Sequence, residues 1–120
     1  LIKIDILKNL DGDVFSFKVQ NHGNPLVCSA VSILSQNCVN SIEVLTELKE
    51  NDYVLDFKEE GFIYFSIIKN KISTNNKDAA LLLNSFFLGI SEIFNAYPNE
   101  IKLNEKIKLE KIKNQFKLKK

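Results

Sequence analysis

The chain has 120 residues, 45% of them hydrophobic, including nine Phe. That is enough for one domain with a real core, and too apolar for a disordered segment. No apolar run approaches the ~20 residues of a bilayer span. The net charge of +1 conceals an asymmetry: residues 1–100 carry eight Lys against thirteen acids, whereas residues 101–120 carry eight Lys against Glu105 and Glu110. An acidic body with a basic end can dock on an anionic partner such as RNA, or the end can simply be a solvated tail.

The opening LIKIDILKNL alternates like a strand and lacks a signal-peptide cleavage pattern, so a cytoplasmic protein without a membrane partner is expected. Ile2, Ile4 and Ile6 mark one face of that strand. Asn9 to Asp13 forms a turn, with Gly12 free to take positive φ. Phe15, Phe17 and Val19 then alternate with Ser16 and Lys18, which completes a hairpin.

Asn21 to Ser32, NHGNPLVCSAVS, holds the only His and one of two Cys. Pro25 suits the first turn of a helix, where its missing N–H costs nothing. Cys28 then falls in that turn, where the positive end of the helix dipole favours a thiolate. His22 lies close enough in sequence to take the thiol proton and return it to a leaving group. On residue types alone the alternatives stay open. A Cys beside Ala30, Val31 and Leu34 also reads as a small core residue, and a loop His as merely exposed.

The helix is predicted over Leu26–Leu48, with Val27, Val31, Leu34, Cys38, Ile42, Leu45 and Leu48 forming one apolar stripe. Cys38 lies on that stripe and reads as packing. It is ten residues from Cys28, about 15 Å along a helix, whereas a disulfide requires Cα atoms within about 7 Å. Two free thiols fit a reducing compartment. Ser32 and Ser35 share the flank of Cys28, and the Ser32 hydroxyl can reach Cys28, a bound substrate or a helical carbonyl.

A second hairpin follows. Tyr53, Leu55 and Phe57 alternate in its first strand, and Phe62 to Ile67 is apolar on both faces, as a central or covered strand would be. Thr74 to Asp78 supplies cap residues for a helix over Asn76–Tyr97, which Pro98 ends. Leu81, Phe87 and Leu88 widen its apolar surface, indicating a subunit interface or a thick core. Ile101 and Leu103 predict a short last strand. Asn104 to Lys120 reads either as a second strand through Ile107 and Leu109 or as a helix through Leu109, Ile112 and Phe116, the loosely attached helix being favoured, and 105–120 forms a basic tail. The order β-β-α-β-β-α(-β) predicts an α+β two-layer sandwich, with two long helices on one face of a mixed or antiparallel sheet. A single domain over 1–104 is expected. One His and two separated Cys cannot supply a structural zinc, and no Gly-rich phosphate loop is present, so no cofactor is expected.

LIKIDI, DGDVFSFKV, LVCSAVSILSQ with VNSIE, and LLLNSFFLGISEIFNAYPNEIKL together resemble the bacterial ribosomal-processing cysteine proteases, the Prp family. The resemblance covers about residues 1–104. It implies the two-layer fold, a homodimer, and a His–Cys pair that removes the N-terminal extension of a large-subunit ribosomal protein. His22 matches the histidine of the family's Gly-His-Ala motif. Cys28 and Ser32 match the Cys and last Ser of its Asp-Ile-Val-Cys-Ala-Ala-Val-Ser motif. Backbone N–H groups of Ser29 and its neighbours are expected to stabilise the oxyanion. Three departures stand out: Asn21 replaces Gly, Pro25 replaces Asp, and the loop between His22 and Cys28 is several residues shorter. A catalytically impaired homologue, acting as a ribosome- or RNA-associated binding module through its Lys-rich tail, is the alternative class.

Overall fold

The computed structural model describes residues 1–57, 59–68 and 76–107. Strands β1 (Ile2–Lys8) and β2 (Val14–Gln20) form the first hairpin, with Ile4 opposite Val19 and Ile6 opposite Phe17. Its turn is held by the Asn9 side chain, whose Oδ1 accepts from the N–H groups of Asp11 and Asp13, both at 3.0 Å. Helix α1 (Pro25–Leu45) leads through one 3-10 turn (Glu50–Asp52) to β3 (Tyr53–Asp56) and β4 (Ile63–Ile67). Helix α2 (Lys77–Ala96) then precedes β5 (Ile101–Ile107).

The five strands make one sheet in the order β3-β4-β2-β1-β5. β5 runs parallel to β1, with Ile2 opposite Ile101 and Ile4 opposite Leu103, and the other neighbours are antiparallel. The sheet is therefore mixed, in an α+β fold of the expected class. Period-2 patterning puts Ile2, Ile4, Ile6, Phe17, Val19, Phe65 and Ile67 into one core with Val27, Val31, Ile42, Leu83 and Ile90 of the helices. Phe17 is its centre: the ring centroid lies 5.8 Å from that of Phe65 on β4 and 4.3 Å from that of Phe86 on α2. β4 sits between β3 and β2, with Phe65 and Ile67 buried on one face and Tyr64 and Ser66 half-buried on the other.

Several expectations shift at the ends of elements. α1 stops at Leu45, three residues early. The Thr46 hydroxyl donates to the Ile42 carbonyl at 2.7 Å, and the backbone becomes extended there. The Leu48 N–H then donates to Thr46 Oγ1 at 3.2 Å, so Leu48 is buried from outside the helix while Leu45 is 68% exposed. Phe57 lies beyond β3 and is 65% exposed instead of continuing its alternation.

α2 is long and apolar enough to cross a membrane by length and composition, yet its Ala79, Leu83, Phe86 and Ile90 stripe is buried on the sheet. Leu81 and Leu88 are exposed, so a thick core does not explain them, whereas Phe87 is half-buried beneath the Lys8 ammonium, 4.5 Å above its ring. β5 is longer than expected and extends three residues past the 104/105 boundary. β5 pairs with the full length of β1, Ile107 lying opposite Lys8, and the Glu105 carboxylate meets Lys8 Nζ at 2.8 Å across that pairing. The expected tail helix falls mainly on 108–120, and two of the cap residues, Thr74 and Asn75, fall on 69–75. Both segments lie outside the described residues.

Two stability effects follow from this packing. The Asn84 side chain on α2 accepts from the Val14 N–H at 2.9 Å and donates to Asp13 Oδ1 at 3.1 Å, tying the helix to the start of β2. Asn84→Ala is expected to lower the free energy of unfolding in urea by about 1–2 kcal/mol, since it strands a part-buried N–H. Cys38, whose thiol donates to the Leu82 carbonyl at 3.9 Å, has its pKa raised by burial from 9.0 to about 12. The folded chain therefore holds that proton between pH 9 and 12 where the unfolded chain has lost it. This contribution is complete below pH 9 and declines above it by about 1.4 kcal/mol per pH unit. Urea midpoints measured at rising alkaline pH should fall, and Cys38→Ala should flatten the fall.

Candidate active site

The site is assembled where β2 ends and α1 begins. Asn21 follows the last residue of β2 with φ of 74°, a left-handed conformation that Asn tolerates better than other side-chain-bearing residues apart from Asp. Asn24 caps α1: its Oδ1 accepts from the Leu26 N–H at 2.9 Å and the Val27 N–H at 3.5 Å. Its carbonyl accepts from the Cys28 N–H at 2.9 Å. Pro25 at the first helical position has no N–H to satisfy. The helix start is thereby saturated and fixed.

That fixed start places Cys28 half-buried on the cleft side of α1, one turn in. Its Sγ lies 4.0 Å from Nδ1 of His22. The short loop therefore still brings the two groups together. Among the described residues, Cys28 is the only hydrogen-bonding partner of the His22 ring, which is otherwise exposed. Among the described residues no carboxylate bonds to that ring. A thiol within reach of an imidazole, at the positive end of a helix, can ionise by transferring its proton to that ring and then act as a nucleophile. Separations at this long limit are usual before substrate closes the site.

A cleft of about 600 Å³ opens beside the sulfur. One wall is a row along α1: Cys28, Ser32, Gln36, Asn40 and Glu43. The other is the β3–β4 hairpin, through Leu55, Phe57, Gly61, Phe62 and Ile63. Ile2, Val19, Val31 and Val39 add apolar surface, and Glu43, Glu59 and Glu60 make the lining acidic. Cys28 and Glu43 are fifteen residues apart on α1, which is about 22 Å of helix and matches about six residues of extended peptide. At the far end Glu43 accepts from the Tyr53 hydroxyl at 3.2 Å. Burial, followed by the Glu43 charge, holds the Tyr53 hydroxyl above its ordinary pKa.

Of the residues singled out from the sequence, Cys28 and Ser32 line one end of this cleft, and His22 stands beside Cys28. Ser29 requires a correction. It is the fifth residue of α1, so its N–H points at the Pro25 carbonyl within the helix and is not a free oxyanion donor. Ser35 turns inward and donates to the Val31 carbonyl at 2.7 Å, and Cys38 is core. Sequence reasoning missed Asn24, although an Asn directly before a helix-opening Pro is a cap signal. It also missed the approach of Gly61 to His22, across thirty-nine residues, which no local pattern encodes.

Comparisons with known proteins identify the family. The family profile described as cysteine protease Prp matches residues 1–102. The ribosomal processing cysteine protease Prp of Staphylococcus aureus strain Mu50 is 28% identical over 112 residues, covering 88% of this chain and all of the relative. A crystal structure of the S. aureus protease with a covalently linked product peptide superposes with a TM-score of 0.76 at 26% identity, over 88% of this chain and all of the other. A second, with a substrate peptide, gives 0.75 at 25% identity and the same coverage. A mixed sheet under two helices, a Cys–His pair at a helix start and a profile match over most of the length converge: the chain belongs to the cysteine protease Prp family.

Proposed function

We propose that this enzyme removes the N-terminal extension of a large-subunit ribosomal protein, with Cys28 as nucleophile and His22 as acid and base. The observation that carries the assignment is the 4.0 Å approach of Cys28 Sγ to His22 Nδ1 at the mouth of a peptide-length cleft. His22 takes the thiol proton, and the thiolate attacks the scissile carbonyl carbon. The resulting oxyanion collapses as His22 returns the proton to the leaving amine, which departs and leaves a thioester on Cys28. Water, deprotonated by His22, then attacks the thioester and frees the acid. The positive end of α1 stabilises the thiolate and the oxyanion. Ser32, one turn along the same wall, supplies a hydroxyl for the bound peptide backbone.

The lining supports a peptide substrate with apolar side chains and basic flanks, since its charged groups are Glu43, Glu59 and Glu60. That composition suits a ribosomal protein. Exposed Leu81 and Leu88 on α2 support a homodimer. Exposed Lys102 and Lys106 on β5, with the Lys-rich sequence beyond them, support a contact with ribosomal RNA. Two free cysteines fit a cytoplasmic location.

The decisive measurement is cleavage of an extended ribosomal precursor, read by mass spectrometry of the new N-terminus. Cys28→Ala is expected to abolish it with an unchanged circular dichroism spectrum, and His22→Ala to slow it by at least about a thousandfold. Ser32→Ala should lower kcat/KM by about tenfold, the worth of one substrate hydrogen bond. Normal processing by Cys28→Ala would end the proposal.

A further inference from the structure

Gly61 occupies the third position of the Glu59–Phe62 turn, which is closed by the Phe62 N–H donating to the Glu59 carbonyl at 3.2 Å. Its φ is 77°, and a left-handed turn position is reason enough for a glycine. Gly12, in the first hairpin, has a similar φ of 86° and nothing within 4 Å of where a Cβ would stand. Gly61 differs in its surroundings. A Cβ there would lie 2.6 Å from both Cε1 and Nε2 of His22 and 3.2 Å from its Cδ2.

We propose that Gly61 is a positioning residue whose missing side chain leaves room for the His22 imidazole to lie with Nδ1 turned toward the Cys28 sulfur. The ring meets Gly61 at its Cε1–Nε2 end and the sulfur on its Nδ1 side. Ordinary van der Waals contact begins near 3.4 Å, so an added methyl would force that end of the ring back by about 0.8 Å. The imidazole is tethered at its opposite end by its own Cβ. Relief therefore comes by rotation about χ1 and χ2, which re-aims Nδ1. His22 has no carboxylate partner among the described residues, so the turn backbone does by shape what an orienting acid does by hydrogen bonding. The consequence for rate rests on the assignment of His22 and Cys28 made above, whereas the steric contact stands apart from it.

The test compares Gly61→Ala with Gly12→Ala, His22→Ala and the double variant Gly61→Ala/His22→Ala in the full chain. Two readouts are used: thermal denaturation, and the pH profile of Cys28 alkylation by iodoacetamide, followed by mass spectrometry. Gly12→Ala should lower Tm by about 4 °C through its left-handed backbone, and Gly61→Ala by more, because its methyl also meets the His22 ring. Only Gly61→Ala should slow Cys28 alkylation at pH 6, by about tenfold, and shift its profile to that of His22→Ala. In the His22→Ala background, Gly61→Ala should leave the profile unchanged and cost less in Tm than in the wild type. The inference is overturned if Gly61→Ala alkylates like Gly12→Ala while His22→Ala does not, or if its Tm cost is the same in both backgrounds. Should His22→Ala leave alkylation unaltered, the catalytic pairing fails. The Tm comparison alone then decides the contact: a reduced cost retains it and an equal cost removes it.

Discussion

The amide groups at the start of α1 govern the rest of the site. An α-helix begins with N–H groups that have no partner of their own, and here one Asn side chain and one proline dispose of them. The helix cannot slide by a residue without losing that cap. Because the first residue of α1 is fixed, so is the row Cys28, Ser32, Gln36, Asn40 and Glu43 that forms one wall of the cleft. The other end of the loop is fixed by the pairing of Val19 with Ile4 and Ile63 in the sheet. Two anchored ends and the intervening residues 21–24 leave little choice about where the imidazole goes. This is how a loop shorter than the family pattern still closes the distance to the sulfur.

The same economy explains why the two cysteines behave so differently on one helix. Cys28 lies at the cleft, beside a ring nitrogen and near the positive end of the helix. Cys38, ten residues on, turns toward α2, where its thiol meets the Leu82 carbonyl, and burial drives its pKa up to about 12. The difference comes from helix phase and depth, with no special chemistry in either residue. Selective reactivity between two thiols is thus a geometric property of α1.

The elements, the apolar stripe and the Cys–His pairing were legible because each is written in local periodicity or in neighbouring residues. Ile2, Ile4 and Ile6 announce a strand face, and Pro25 announces a helix start. What escaped the sequence lay at element ends or across the fold. Leu45 carries the stripe's spacing, but Thr46 ends the helix by bonding back to Ile42 and leaves Leu45 in solvent. Phe57 fits an alternation that the strand does not last long enough to use. Ser29 occupies a sensible position for an oxyanion donor, yet helical hydrogen bonding claims its amide. The length of β5 depends on its pairing with β1, which sets Ile107 opposite Lys8, and the role of Gly61 depends on a ring from another element.

The parallel pairing of β1 with β5 has a consequence for how the molecule is made. Ile2, which lines the cleft, donates its N–H to the Glu100 carbonyl, and its strand is flanked on that side by residues 101–107. A nascent chain emerging from the exit tunnel therefore exposes β1 as an open edge until residues 101–107 have been translated. The strand that carries Ile2 gains its second neighbour only when residues 101–107 have left the tunnel, so a chain made as far as α2 already holds its cysteine and histidine while one strand of the cleft still has a bare edge.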